Sequence, residues 1–392
     1  MSDTQKHNKP NVPNLRFPEF SGDWETRKIG QDCTVNMCKR IFANQTSEKG
    51  EVPFYKIGTI GGLPDSYISR VLFEEYKSKY NYPHKGEVMI TCAGTVGKTI
   101  VFDGEDAYYQ DSNIVWLSNP KQLYINPFLN YCLSRVNWNK LNSTTITRIY
   151  NDNLRELTIN YPSVKEQEKI VSVLSLIDQR IDIQNKVIEK YESLIKALTQ
   201  EAHKRATSSY FLRDVLAERK ELNSKGYDIC SVSVSKGVIN QIEYLGRSFA
   251  AKETKHYHVV RHGDVVYTKS PTGDFPYGII KQNYNDNPAA VSPLYGVYEP
   301  ITYEVGVYLH YYFCSPNNAL NYLHPLIQKG AKNTINITNQ HFLDNKVRIP
   351  DSKVLSKTVS TIITISSRLQ LEERVLYQLQ LQKQFLLSNM FI

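Results

Sequence analysis

The sequence predicts an α+β chain in which two globular mixed α/β domains are separated by two long antiparallel coiled-coil helices, the whole being a pseudo-twofold duplication. Three observations carry this. An apolar heptad over residues 170–198 returns 188 positions later without an insertion. Each copy follows a stretch of about 150 residues rich in strand-like runs, turn dipeptides and tyrosine, the size of one ordinary domain. Those two stretches also match each other weakly at three places, and internal repetition outranks any single motif in deciding an architecture. The expected boundaries are 1–160 and 208–350 for the domains, and 161–207 and 351–392 for the helices.

In the first domain the stretch "TCAGTVGKTIVF", Thr91 to Phe102, differs in one residue from a phosphate-binding loop, Cys92 standing where the first glycine belongs. Such a loop needs a helix directly behind it, whose N-terminus adds positive potential. Here Ile100, Val101 and Phe102 run instead into Asp103-Gly104, a hairpin dipeptide, and then into "AYYQDSNIVWLS", which reads as another strand. Gly97, Lys98 and Thr99 therefore belong to a glycine turn between strands. Next comes "NPFLNYCLSR", read as a helix start with Asn126 as N-cap and Pro127 at the first helical position.

The first helix places Ile170, Leu174, Ile177, Ile181, Ile188, Tyr191, Ile195 and Leu198 in alternating steps of four and three, with one gap at Gln184. This is a coiled-coil seam. The same offset falls on Thr358, Ile362, Ile365, Leu369, Leu376, Leu379, Lys383 and Leu386, with the gap at Glu372. Each domain precedes its own helix, and the second domain also follows the first helix, so the seams can meet only antiparallel. Gln184 and Glu372 should then face each other near the pseudo-twofold and fix register. Residues 199–207, "TQEAHKRAT", lose the heptad and read as a hinge.

The second domain answers the first: "HKGEVMIT" at His84 with "RHGDVVYT" at Arg261, "NPFLNYCLSR" with "EVGVYLHYYFCS" at Glu304, and "NDNLRELTINYPS" at Asn151 with "NQHFLDNKVRIPDS" at Asn339. The counterpart of the glycine loop is "YTKSPTGDFPYG", Tyr267 to Gly278, which has no Gly-Lys-Thr. A loop that varies at one place in two related domains suits a reader better than a motor.

Composition narrows the classes. With 392 residues, 41% hydrophobic and 22% charged, the chain is an ordinary globular protein. No apolar run reaches the length of a membrane span and the polar start has no signal core, which places the protein in the cytoplasm. The six cysteines show no C-x-x-C pair, so neither a disulfide framework nor a zinc knuckle is expected. His256, His258 and His262 lie near one another without an acidic or cysteine partner at ligand spacing, and no metal site is assigned. Of the net charge of +8, the helical segments hold +3, which permits a nucleic-acid partner without promising strong nonspecific grip. There is no G-x-G-x-x-G, no nucleophile elbow and no N-P-P-[FY]-type methyltransferase motif, "NPFL" lacking the second proline.

In its order of domain, helix, domain, helix, the sequence resembles the specificity subunits of type I restriction-modification enzymes. The repeated "YPSVKEQEKIVSVLSLIDQRI", the opening "PNLRFPEFSGDWE" and "AGTVGKT" carry the resemblance, which extends over essentially the whole chain. It implies two target-recognition domains that each read one half of a bipartite site in double-stranded DNA, and no catalysis by this chain. It also implies helices that dock two modification (methyltransferase) subunits, with motor-endonuclease subunits joining in the full complex. S-adenosylmethionine, ATP and magnesium would belong to those partners, and no cofactor to this chain. A seam of about 42 Å, from Ile170 to Leu198, suits half-sites about one helical turn of DNA apart.

Polar, basic loops bounded by strands are the candidates for DNA contact, since paired hydrogen bonds read base edges while Lys, Arg, Ser and Thr hold the backbone. These are Lys56 in "FYKIGT", Thr95 and Lys98 in the glycine loop, Thr145 and Arg148 in "NSTTITRIYN", Lys269 in "YTKSPTG", and Lys332, Asn333 and Asn336 in "KGAKNTINITN". Two other classes remain open on sequence: a coiled-coil scaffold whose tyrosine-rich domains bind carbohydrate or protein, and a P-loop ATPase built on Gly97-Lys98-Thr99.

Overall fold

The computed structural model describes residues 11–138, 148–245, 253–329 and 335–392. Two compact units divide the chain, Met1–Ile183 with Leu376–Ile392, and Gln184–Val375.

The first unit contains, in order, β1 Glu25–Lys28, β2 Thr34–Asn36, β3 Val52–Tyr55, β4 Tyr67–Ile68, α1 Arg70–Lys79, β5 Val88–Thr91, β6 Thr99–Val101, β7 Tyr108–Tyr109, β8 Ile114–Ser118, α2 Asn126–Ser134, α3 Asn151–Glu156, β9 Thr158–Tyr161 and the start of α4 Val164–Arg205. Its main sheet is antiparallel in the order β2-β8-β5-β6. The strand period of two sends Val88 and Ile90 of β5 into one apolar cluster and Met89 into another, so the sheet is covered on both faces. That explains why "VMIT" reads as a continuous apolar run rather than an alternation.

The second unit continues through β10 Ser208–Phe211, α5 Leu212–Val215, β11 Leu216–Glu218, β12 Cys230–Ser233, β13 Gly237–Asn240, α6 Gln241–Leu245, β14 His258–Val260, β15 Val265–Thr268, β16 Ile279–Gln282, β17 Ala289–Val291, β18 Gly296–Pro300, α7 Tyr303–Phe313, α8 Pro316–Leu323, β19 Gln328–Lys329, β20 Ile335–Asn336, α9 Asn339–Phe342, β21 Lys346–Ile349 and α10 Ser352–Asn389. Its sheet, β11-β18-β15-β16, repeats the order of the first. Val265 and Tyr267 enter one cluster and Val266 the other, as in β5.

The approach to the central strand is the same in both units. Gly86 and Gly263 have φ of +89° and +88°, which favours glycine, and the next residue buries a carboxylate. Glu87 accepts from the His84 N–H at 2.7 Å, and Asp264 from the Arg261 N–H at 2.7 Å. The weak match between "HKGEVMIT" and "RHGDVVYT" is thus one turn built twice.

The two long helices meet antiparallel within each unit. Ile170, Leu174, Ile177, Ile195, Ile362 and Leu379 are buried, and Ile181, Ile188, Ile365, Leu369, Leu376 and Leu386 half-buried. Truncating a wholly buried isoleucine such as Ile362 to alanine costs about 2–5 kcal/mol, so the seam contributes heavily to holding the helices. Lys383, the charge in the second seam, bonds Asp178 at 2.6 Å, and Tyr131 donates to the same carboxylate at 2.7 Å. At the base of α4, buried Gln167 accepts from the Ile125 N–H and donates to the carbonyls of Leu123 and Pro162.

Four local expectations are corrected. The expected hinge at 199–207 is helical through Arg205, because Thr199 returns its hydroxyl to the Ile195 carbonyl and Ala202 extends the buried face with a small side chain. Asp103-Gly104 makes a turn, but β6 pairs with β5 and the next strand, β7, pairs in parallel with β3. "AYYQDSNIVWLS" is two strands, broken where Ser112 adopts φ +53°. Asn126 is already helical and caps nothing; Ile125 holds the cap position, and its N–H is satisfied by Gln167 from a distant helix. Among the described residues no helix is long and apolar enough to cross a membrane.

Candidate nucleic-acid interface

The β5–β6 connection, Cys92 to Lys98, joins two antiparallel strands, with Thr99 opening β6. No helix follows it, so its N–H groups have no dipole behind them and the phosphate-binding reading fails. Gly97 has φ +83°, and a Cβ there would sit 2.0 Å from Cδ1 of Trp138. That glycine is needed for the indole to pack. Lys98 directs its ammonium to the Ile60 carbonyl at 2.5 Å, away from any phosphate cradle.

Four of the predicted contacts gather around this loop. Lys98 ties it to the turn after β3, and a Cβ on Gly94 would lie 2.8 Å from the Ile57 side chain, so loop and turn touch. Lys56 opens that turn and pairs with Asp65 at 3.0 Å. Thr95 is exposed, its carbonyl accepting from the Thr91 hydroxyl. Arg148 precedes Ile149, whose N–H donates to the Cys92 carbonyl at 2.9 Å, and the guanidinium stands 5.9 Å from the Tyr150 ring. Burial pushes the Cys92 thiol up to about 12, the charge of Arg148 opposing it. Thr145 lies outside the described residues.

The reading of the sequence missed the turn Gln110–Asn113. The Cys92 N–H donates to the Asn113 carbonyl at 2.7 Å, Gln110 accepts from the Ile57 N–H at 3.3 Å, and Arg40 holds Asp111 at 2.8 Å. This turn braces the same patch. Its signal was present in "QDSN", a turn-forming cluster inside an apolar run. Trp138 carries no comparable local signal.

In the second unit the corresponding connection, Lys269 to Gly278, folds on itself through a Thr272–Phe275 bridge, with Phe275 buried. Gly278 has φ +103°, and a Cβ would meet the Thr268 carbonyl at 1.9 Å. Lys269 is half-buried; desolvation lowers its pKa, and Glu218 opposes the shift. Asn339 donates to that Glu218 at 3.2 Å, which places the start of α9 in the same neighbourhood. Asn336 lies on β20 opposite Gln328. Lys332 and Asn333 lie outside the described residues.

The histidines do not converge on a metal. His258 bonds the Tyr295 carbonyl at 3.2 Å and His262 stacks on Tyr303 at 5.6 Å. Among the described residues no group of three potential ligands forms.

Both units thus carry a sheet of the same strand order with a different loop at the same connection, each followed by a long helix. Residues 21–193 match the family model described as the type I restriction modification DNA specificity domain. A curated Haemophilus influenzae protein, provisionally named a type I restriction enzyme specificity subunit, is 45% identical over 173 residues, 44% of this chain and 41% of its own length. The matched region thus spans about two fifths of that relative. The crystal structure of a type I restriction-modification S subunit from M. genitalium shares the fold with a TM-score of 0.60 at 15% identity, over 97% of this chain and 99% of that one. Residues 21–193 are therefore similar to a type I restriction-modification DNA specificity domain, and the chain shares its fold with a solved S subunit.

Proposed function

We propose that this chain gives a type I restriction-modification complex its DNA sequence specificity and performs no chemistry of its own. In this reading each globular domain recognises one half of a bipartite duplex target, and the paired helices set the gap and dock two methyltransferase subunits. Motor-endonuclease subunits complete the assembly. S-adenosylmethionine, ATP and magnesium act in those partners. The observation that carries the reading is the repeated sheet, β2-β8-β5-β6 and β11-β18-β15-β16, bearing different loops at the same connection. A constant scaffold with a variable loop is what reading two different half-sites requires. Lys56, Thr95, Lys98 and Arg148 support it in the first unit by surrounding one loop, and Lys269 occupies the matching loop of the second.

The test is genome-wide mapping of N6-methyladenine in cells that express the chain with its modification subunit. A bipartite methylated motif that vanishes without this chain is the expected result, and exchanging residues 208–350 should change one half of the motif only. A purified complex with the modification subunit that methylates no motif would overturn the reading and favour a scaffold.

A further inference from the structure

The two units differ at the connection between β3 and β4 and at its counterpart between β12 and β13. In the second unit β12 and β13 are joined by residues 234–236 alone. In the first unit β3 and β4 are joined by residues 56–66. The positions correspond, because β3 pairs in parallel with β7 through Phe54 and Tyr108, and the segment leading into β12 makes the matching parallel bridge between Ile229 and Ala290.

The longer connection is firmly built. The Lys56 N–H donates to the Thr59 hydroxyl and the Gly62 N–H to the Thr59 carbonyl, both at 3.0 Å. Ile60 is buried, Lys98 clasps its carbonyl, and Lys56 pairs with Asp65 across the base. At the outer end stands Leu63, between Gly62 and Pro64, and 90% exposed. No other large apolar side chain among the described residues is as bare.

Scattered exposed leucines are normal and ask for no explanation. Leu63 differs in its mounting. It projects from a braced turn that the candidate interface itself holds in place, through the ammonium of Lys98 and the contact between Ile57 and Gly94. Proteins that distort DNA use such a part: an apolar wedge enters between base pairs while neighbouring cations hold the phosphates. Pro64 fixes its own φ and restricts Leu63 to extended backbone, which limits how far the tip can fold back.

We infer that Leu63 is an intercalating wedge, entering between two stacked base pairs of the half-site read by the first domain. This rests on the DNA-reading function proposed above. The matching turn of the second unit carries exposed Ser235 and Lys236 and no apolar tip, so the distortion belongs to one half-site only. Part of the specificity at that half-site then comes from how easily the wedged step unstacks, a pyrimidine–purine step being the softest.

The experiment uses the complete complex of this chain with its modification subunits. It is bound to target duplexes carrying 2-aminopurine at successive positions of the first half-site, away from the adenine that is methylated. The wild type should raise fluorescence several-fold at one step. Leu63→Ser should assemble normally yet lose that rise, and Leu63→Met should keep it. Specific binding without unstacking at any step, or an undiminished signal in Leu63→Ser, overturns the wedge and leaves DNA reading intact. Failure of Leu63→Ser to assemble with the modification subunits assigns the side chain to protein docking and also overturns it. Absence of any specific DNA complex from the wild type removes both readings together.

Discussion

Gln184 donates to both the backbone carbonyl and the carboxylate of Glu372, at 3.0 and 2.7 Å, and these two residues interrupt the two copies of one heptad at the same place. Glu372 is only 9% exposed, and its other oxygen accepts from Arg368 at 2.8 Å. The bond exists in one register alone. A slide of the helices by one heptad would strand the amide and the carboxylate among leucines and isoleucines.

Removing Gln184 alone, by Gln184→Leu, should cost about 1–3 kcal/mol, because a largely buried charge loses one of its donors. The double variant Gln184→Leu with Glu372→Leu should recover that stability and lose uniqueness. Disulfide trapping between engineered cysteines placed in register and one heptad out of register would show both products. A single product from the double variant would remove the register role.

Gly97→Ala should destabilise the first unit by about 2 kcal/mol or more, since it strains a left-handed backbone and drives a methyl into Trp138. Thermal melting and the quenching of tryptophan emission would register the change. ATP should stabilise neither protein, in contrast to a phosphate loop, where ligand binding raises the melting temperature.

Lys98 and Arg148 should separate in salt titrations of the assembled complex. Arg148→Ala should lower affinity across sequences and reduce the slope of log affinity against log salt by about 1, the mark of a lost phosphate contact. Lys98→Met should change that slope little, because its ammonium is held by the Ile60 carbonyl. Its effect should appear as faster hydrogen exchange in residues 56–66. Equal slope changes in the two variants would refute the distinction.

His310 is buried with Nδ1 accepting from the Gln282 N–H at 2.9 Å, and burial, then the charge of Lys281, push its pKa down to about 3. The unfolded chain binds this proton near the ordinary value of 6.5 and the folded chain does not. Its contribution is therefore complete above about pH 6.5 and is lost as pH falls toward 3, at up to about 1.4 kcal/mol per pH unit. Urea midpoints of wild type and His310→Asn should converge, or cross, between pH 7 and pH 4. A constant difference would show that His310 is not held neutral.

What could be read beforehand followed physical range. The helices were legible because their apolar period is local and was written twice. The glycine loop was legible as a turn because the helix required for phosphate binding was visibly missing. Hidden features depend on distant partners. Nothing near Asn126 announces that Gln167 will satisfy the helix start, and nothing near Gly97 announces Trp138. The span 199–205 deceived for a related reason: a seam can continue on Thr199 and Ala202, which a search for large apolar residues passes over. Lys98 was selected for its charge, yet the charge is directed to a carbonyl that only the fold brings near.

The first strand of each unit pairs antiparallel with its last, Glu25–Lys28 with Thr158–Tyr161 and Ser208–Phe211 with Lys346–Ile349. The chain accordingly enters and leaves each globular part through adjacent strands, like a cartridge clipped into a holder. Whatever length of polypeptide lies between is closed at its neck, and lengthening a closed loop carries only a slowly growing entropic cost. Genetic replacement of everything inside the clip, in one event and with a segment of different size, would leave the helical frame undisturbed. On the function proposed above, a lineage carrying this architecture can acquire a new half-site without re-evolving its assembly.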